Sequence, residues 1–140
     1  MKKAIALLPL CCLLLWQACS NEKNGAAKPL NPNGDSELAL LMRLMLEDGE
    51  RVRAQIQQGG AVSIQVDFEQ IMTAKATDPA KMQGPDYPHF ASSYVEAMKA
   101  LRDATTAEAQ ERYSAMVATC MNCHESSCPG PMVRIKKLVL

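Results

Sequence analysis

Late in the chain stands Cys120-Met121-Asn122-Cys123-His124, a C-x-x-C-H pentapeptide that restricts its surroundings more than any other stretch. On a helix, positions i and i+3 share a face, so the two thiols emerge side by side, one turn apart. Each can then bond one vinyl carbon of a haem as a thioether, and the string is the signature of c-type haem attachment. His124 lies one residue past Cys123 and four past Cys120, so its imidazole emerges beside the sulfurs and can bind the iron from that side.

Two other chemistries use similar residues. A thioredoxin-like C-x-x-C opens a helix just after a strand, where the helix N-terminus lowers the thiol pKa. Here the pair closes a helical pattern and no β-α-β alternation surrounds it. A Cys3His zinc site would draw on Cys120, Cys123, His124 and Cys128, all within nine residues. Structural zinc sites usually join two separated ligand clusters. Neither alternative suits the spacing and placement of the motif as c-type haem attachment does.

The N-terminus has to be set aside before the fold is read. Lys2 and Lys3 precede the apolar run Ala4 to Trp16, which is too short to span a bilayer comfortably and has the layout of a secretory signal, assigned to residues 1–18. Leu15-Trp16-Gln17-Ala18-Cys19 resembles a bacterial lipobox, with the leucine four positions before the cysteine. That resemblance implies lipidation at Cys19, ordinary signal cleavage being the alternative. Ser20 to Asn33 has no apolar period and several breakers, so residues 19–34 read as a flexible tether. Cys11 and Cys12 then leave with the signal, and Cys128 alone has no assigned task; its default is burial as a small hydrophobe. Export agrees with the motif, because bacterial c-type attachment takes place outside the inner membrane.

Residues 35–140 carry the fold. At 140 residues and 48% hydrophobic, the chain suits one domain with a modest core. Its 15 basic and 15 acidic side chains exclude the basic excess of a nucleic-acid binder. Asp35 and Ser36 offer caps for a first helix whose Leu38, Leu41, Met42, Met45, Val52 and Ile56 share a face, ending at Gly59-Gly60. Val62, Ile64, Val66 and Phe68 alternate as in a strand, yet no partner strand is evident, so this stretch reads as an extended connector. A short second helix is expected from Asp67 to about Ala76, with Phe68, Ile71 and Met72 inward. Asp86 is expected to cap a third helix with Pro88 in its first turn and Phe90, Tyr94, Met98 and Leu101 as its stripe. Thr105-Thr106-Ala107-Glu108 supplies a capping box for the fourth, whose Tyr113, Met116, Val117, Cys120, Cys123 and His124 share one side. Cys128-Pro129-Gly130-Pro131 forces an end. The expectation is an all-α antiparallel four-helix bundle with haem c on the last helix and a short C-terminal tail.

Four helices with C-x-x-C-H near the end of the last resemble the cytochrome c′ family and its low-spin, methionine-ligated relatives, over roughly residues 36 to 126. Met42-Arg43-Leu44-Met45 looks like the M-[KR]-x-M string of the Met-ligated members. The resemblance implies Cys120 and Cys123 bearing one covalent haem, His124 as proximal ligand, Met42 as distal ligand and Met45 lining the pocket. From the residues alone the distal position stays open among Met42, Met45, His89 and no ligand at all, since paired Met residues serve more often as core filler. Typical members end soon after the motif with a basic residue; here Glu125-Ser126-Ser127-Cys128-Pro129-Gly130-Pro131 follows.

The functional expectation is an electron carrier that turns over no substrate: an exported, membrane-anchored lipoprotein facing the periplasm and meeting redox partner proteins. A five-coordinate gas-binding module of cytochrome c′ type is the alternative, and a homodimer is compatible with either. Tyr94 and Tyr113 are expected to pack in the core. Arg134, Lys136 and Lys137 are expected to form a solvated basic edge.

Overall fold

The structure, a computed structural model, describes residues 34–140. The expectations for the signal segment, for lipidation at Cys19 and for the tether up to Asn33 lie outside the described residues.

The first helix, α1, spans Glu37–Gln57. Ser36 caps it, its side chain accepting from the Ala39 N–H at 3.2 Å. Gly59 ends it at φ +70°, a left-handed conformation that glycine adopts without a Cβ clash. The Gly59 N–H then bonds to the Ile56 carbonyl and the Gly60 N–H to the Gln55 carbonyl, both at 2.9 Å. This is the Schellman arrangement, which satisfies carbonyls the helix leaves free. Leu41, Met45 and Val52 are buried along one face.

The connector that follows alternates as its sequence does, with Val62, Ile64 and Val66 half-buried against the core and Ser63 and Gln65 outward. A strand needs partners for its N–H groups. Side chains of α1 supply them. The Gln55 side-chain carbonyl accepts from the Ser63 N–H at 3.0 Å, and the Asp48 carboxylate accepts from the Gln65 N–H at 3.2 Å and 3.3 Å. Farther along, the Lys75 N–H donates to Glu37 at 3.1 Å and the Leu38 N–H donates to the Lys75 carbonyl at 3.0 Å. The α1 partners descend from 55 to 37 as the connector rises from 63 to 75, so the connector runs antiparallel to α1.

The expected second helix from Asp67 to Ala76 is instead a five-residue 3-10 turn, Phe68–Met72. Phe68 and Ile71 are buried, as expected, but Met72 is 45% exposed. The tighter turn explains this: with three residues per turn, positions i and i+3 eclipse and i+4 rotates outward. The described residues therefore contain three long helices rather than four, and no strand.

After the short helix α2, Ala80–Gln83, helix α3 spans Asp86–Arg102. Asp86 lies in its first turn rather than capping it, and Pro85 takes the preceding position. Ala91, Tyr94, Val95, Met98 and Leu101 are buried, while Phe90 is half-buried. Helix α4, Ala109–Ser127, opens after a turn in which the Glu108 carboxylate accepts from the Thr105 N–H at 3.1 Å and its hydroxyl at 2.6 Å. The tail holds α5, Met132–Ile135, and a last 3-10 turn, Lys136–Leu138. Buried Leu138 lies on α1 at Gly49, where an added Cβ would meet its Cδ1 at 3.3 Å. Tyr113 donates to the Gly49 carbonyl at 3.1 Å, and Arg53 donates to the Lys137 carbonyl. Among the described residues, no helix is long and apolar enough to cross a membrane.

Among the described residues, Asp48 is the one buried charged residue, ion-paired with Arg51 on the next turn. Asp48→Ala strands the Gln65 N–H and the partly covered Arg51. A loss of about 2 kcal/mol in urea unfolding is expected, with Arg51→Ala costing clearly less because its side chain already reaches water.

Candidate functional site

The apolar stripe of α4 runs through buried Tyr113, Met116 and Val117 into half-buried Cys120, Cys123 and His124. All three motif side chains therefore occupy the last two turns of α4 and are half-buried, with Cys120 packed against the core. Both cysteines are free thiols. The Cys120 Sγ lies 3.8 Å from the Met116 Sδ.

Helix α3 returns antiparallel to α4, so its tyrosines meet the thiols in reverse order. Tyr94 neighbours Cys120 and Tyr87 neighbours Cys123. Tyr87 is fixed by a 2.8 Å bond from its hydroxyl to the Ile71 carbonyl. Burial pushes the Cys120 thiol up to about 12, with the adjacent Cys123 adding to the shift. Burial also raises Cys123, assisted by Cys128. Tyr87 is pushed up to about 12, and Tyr94 and Tyr113 are also raised, in each case chiefly by burial. At neutral pH the site thus holds neutral thiols and phenols. A nucleophilic or exchanging dithiol requires the opposite shift, a stabilised thiolate.

His124 sits on the last turn of α4, and its Nδ1 lies 3.0 Å from the Cys128 carbonyl. A carbonyl oxygen only accepts, so Nδ1 is the donor, and the neutral imidazole consistent with this contact has its lone pair on Nε2. That is the arrangement in which metal-ligating histidines are held by a second partner. Two neutral thiols on one face, an imidazole with its Nε2 free and an apolar surround of Met116 and Tyr94 fit a covalently held haem c. Among the described residues, no group of three or more His, Cys, Asp or Glu side chains is arranged to hold a metal ion by itself.

The other expected residues are placed as follows. Met45 is 9% exposed and belongs to the core, whereas Met42 is half-buried against it. Helix α1 and α4 are antiparallel by chain order, since the connector returns along α1, Tyr87 near the start of α3 meets the connector at Ile71, and α4 returns along α3. The Tyr113–Gly49 bond fixes their register. Seven residues onward in α4 is Cys120, and seven back in α1 is Met42. His89 is exposed on the first turn of α3, away from the buried stripe. Cys128 is half-buried and caps α4. Arg134, Lys136 and Lys137 are exposed. A cleft of about 410 Å³ lies between α1 and the connector beside Leu44, Asp48 and Gln65, and one of about 310 Å³ lies between α4 and the tail. The second touches Met121 and Asn122, but Cys120, Cys123 and His124 line neither.

No protein-family model, curated protein or solved structure matches this chain. Sequence reasoning missed the Cys128 carbonyl and Tyr87. The Pro129 that follows Cys128 was a usable signal for the first, because it forces that residue out of the helix.

Alkylation of the haem-free chain tests the thiol environment. A pKa near 12 leaves Cys120 with ~10³-fold less thiolate than an ordinary cysteine near pH 8. Modification by iodoacetamide, followed by peptide mass spectrometry, should be slowest at Cys120 and should keep accelerating as pH rises past 9. Preferential labelling of Cys120 at neutral pH would show an activated thiolate instead.

Proposed function

We propose that this chain is a single-haem c-type cytochrome that works as a membrane-tethered electron carrier, its helical domain being a bundle of cytochrome c′ kind with the haem on α4. The observation that carries the reading is the C-x-x-C-H face of α4, with two free thiols beside an imidazole whose Nδ1–H is engaged by the Cys128 carbonyl. When bound, the haem supplies reversible one-electron chemistry at its iron. Cys120 and Cys123 hold it through thioethers. His124 would supply Nε2 as the proximal ligand, and Met42, half-buried against the core, would supply its thioether as the distal one. Met116 and Tyr94 keep water from the attachment face. Thioether ligation and an apolar surround both favour the reduced state, which suits a carrier of high potential. No substrate is turned over, so the protein is not an enzyme in the narrow sense.

The lipid at Cys19 and the tether of residues 19–34 complete the proposal: an exported lipoprotein, facing the periplasm, whose domain swings between redox partner proteins. Composition supports the same view, since a net charge of zero offers nothing to nucleic acid.

Expression with a c-type maturation system should give a chain that keeps its haem through denaturing electrophoresis. Cys120→Ala with Cys123→Ala should abolish that retention, and a colourless parent would end the reading. The distal ligand is tested separately by spectroscopy. Met42→Ala should convert a low-spin ferric protein to high spin, raise carbon monoxide binding to the ferrous form and lower the potential, while Met45→Ala leaves the spectrum nearly intact. A parent that is already high-spin has an open distal side, and the gas-binding reading then replaces the carrier.

A further inference from the structure

The chain after the motif is unusual in carrying two prolines directly behind the helix, and the structure shows what they adjoin. Helix α4 stops at Ser127, and Cys128 caps it at φ −156° and ψ 73°, outside the helical region. Both backbone groups of Cys128 serve His124. Its N–H donates to the His124 carbonyl at 3.1 Å, and its own carbonyl lies 3.0 Å from Nδ1. In a continued helix the second contact is lost, because the carbonyl four residues on points along the axis toward the C-terminus. A residue before proline is kept from the helical region by the proline ring. Pro129 is therefore what turns the Cys128 carbonyl back onto the imidazole.

The turn is also anchored on its far side. The Pro129 carbonyl accepts from the Met132 N–H at 3.1 Å, and the Pro131 carbonyl accepts from Arg134 at 2.8 Å and Ile135 at 3.1 Å. Ile135 is buried. The carbonyl is thus held between the end of α4 and a short helix seated in the core.

We propose that Pro129 is a positioning residue for His124: by holding Cys128 out of the helix it aims the Cys128 carbonyl at Nδ1–H, fixes the tautomer and reserves Nε2 for the metal. This deepens the haem proposal, yet its central claim concerns the protein alone. A hydrogen bond from Nδ1–H to a carbonyl pushes electron density toward Nε2 and strengthens it as a ligand to the oxidised metal. The thiol of Cys128 takes no part, because the backbone oxygen does the aiming.

Nitrogen NMR of the haem-free full chain labelled at histidine tests this directly. Exposed His89 provides the internal reference for an unconstrained tautomer mixture. His124 in the parent should show a single Nδ1–H tautomer. Pro129→Ala should move it toward the His89 pattern without loss of helix by circular dichroism, whereas Cys128→Ala and Pro131→Ala should leave it unchanged. On the haem-loaded protein, Pro129→Ala should raise the reduction potential, a shift that a merely structural proline would not produce. A tautomer mixture at His124 in the parent overturns the proposal whether or not the variant folds. So does a Pro129→Ala variant that keeps both the parent tautomer and the parent potential. A chain that shows the Nδ1–H tautomer but never acquires haem sinks the cytochrome reading and leaves the positioning role standing.

Discussion

The carboxylate of Asp48 is the interaction on which this architecture rests. An extended segment beside a helix has N–H groups that no neighbouring strand can satisfy, and one that is covered and left unpaired costs on the order of 1–3 kcal/mol. Asp48 answers that problem at the middle of α1, taking the Gln65 N–H on its oxygens while Arg51 balances its charge. Gln55 and Glu37 repeat the device above and below it. Half-buried Val62, Ile64 and Val66 can then face the core without a sheet. An extended chain advances about 3.3 Å per residue against 1.5 Å for a helix, so a short connector covers the flank of α1 with few residues.

The motif end of α4 follows a different logic, in which burial is partial and the thiols and phenols are kept neutral. The thiols and the flanking tyrosines are all shifted upward, chiefly by desolvation. The imidazole of His124 is directed by its contact with the Cys128 carbonyl. Thiols held in the neutral form lack the stabilised thiolate that a dithiol exchange enzyme uses.

Much of this was legible in the sequence, for reasons that can be named residue by residue. The stripes of α1, α3 and α4 were readable because a helical period persists over many residues, and Gly59-Gly60 announced its terminator by backbone freedom alone. The 3-10 turn at Phe68–Met72 was not, because five residues are too few to separate a period of 3.0 from one of 3.6. Asp48 left a faint mark: it falls within the apolar stripe between Met45 and Val52, where a charge needs a buried partner. Its partner is a backbone N–H 17 residues away, and backbone groups write nothing into a sequence. The same holds for the Cys128 carbonyl, of which only the proline behind it was visible.

The span of the contacts along the chain also bears on the order in which they form. Helices α3 and α4 are joined by only a few residues and pack closely, so their pairing demands little loop closure. The bonds that bring α1 home reach much farther, 64 residues from Tyr113 to Gly49 and 84 from Arg53 to Lys137. Contacts of such separation are the slow ones. The cysteine-bearing face of α4 therefore lies in the part of the molecule whose pairing is local in sequence, whereas α1 is tied to α4 and to the tail by contacts of long separation.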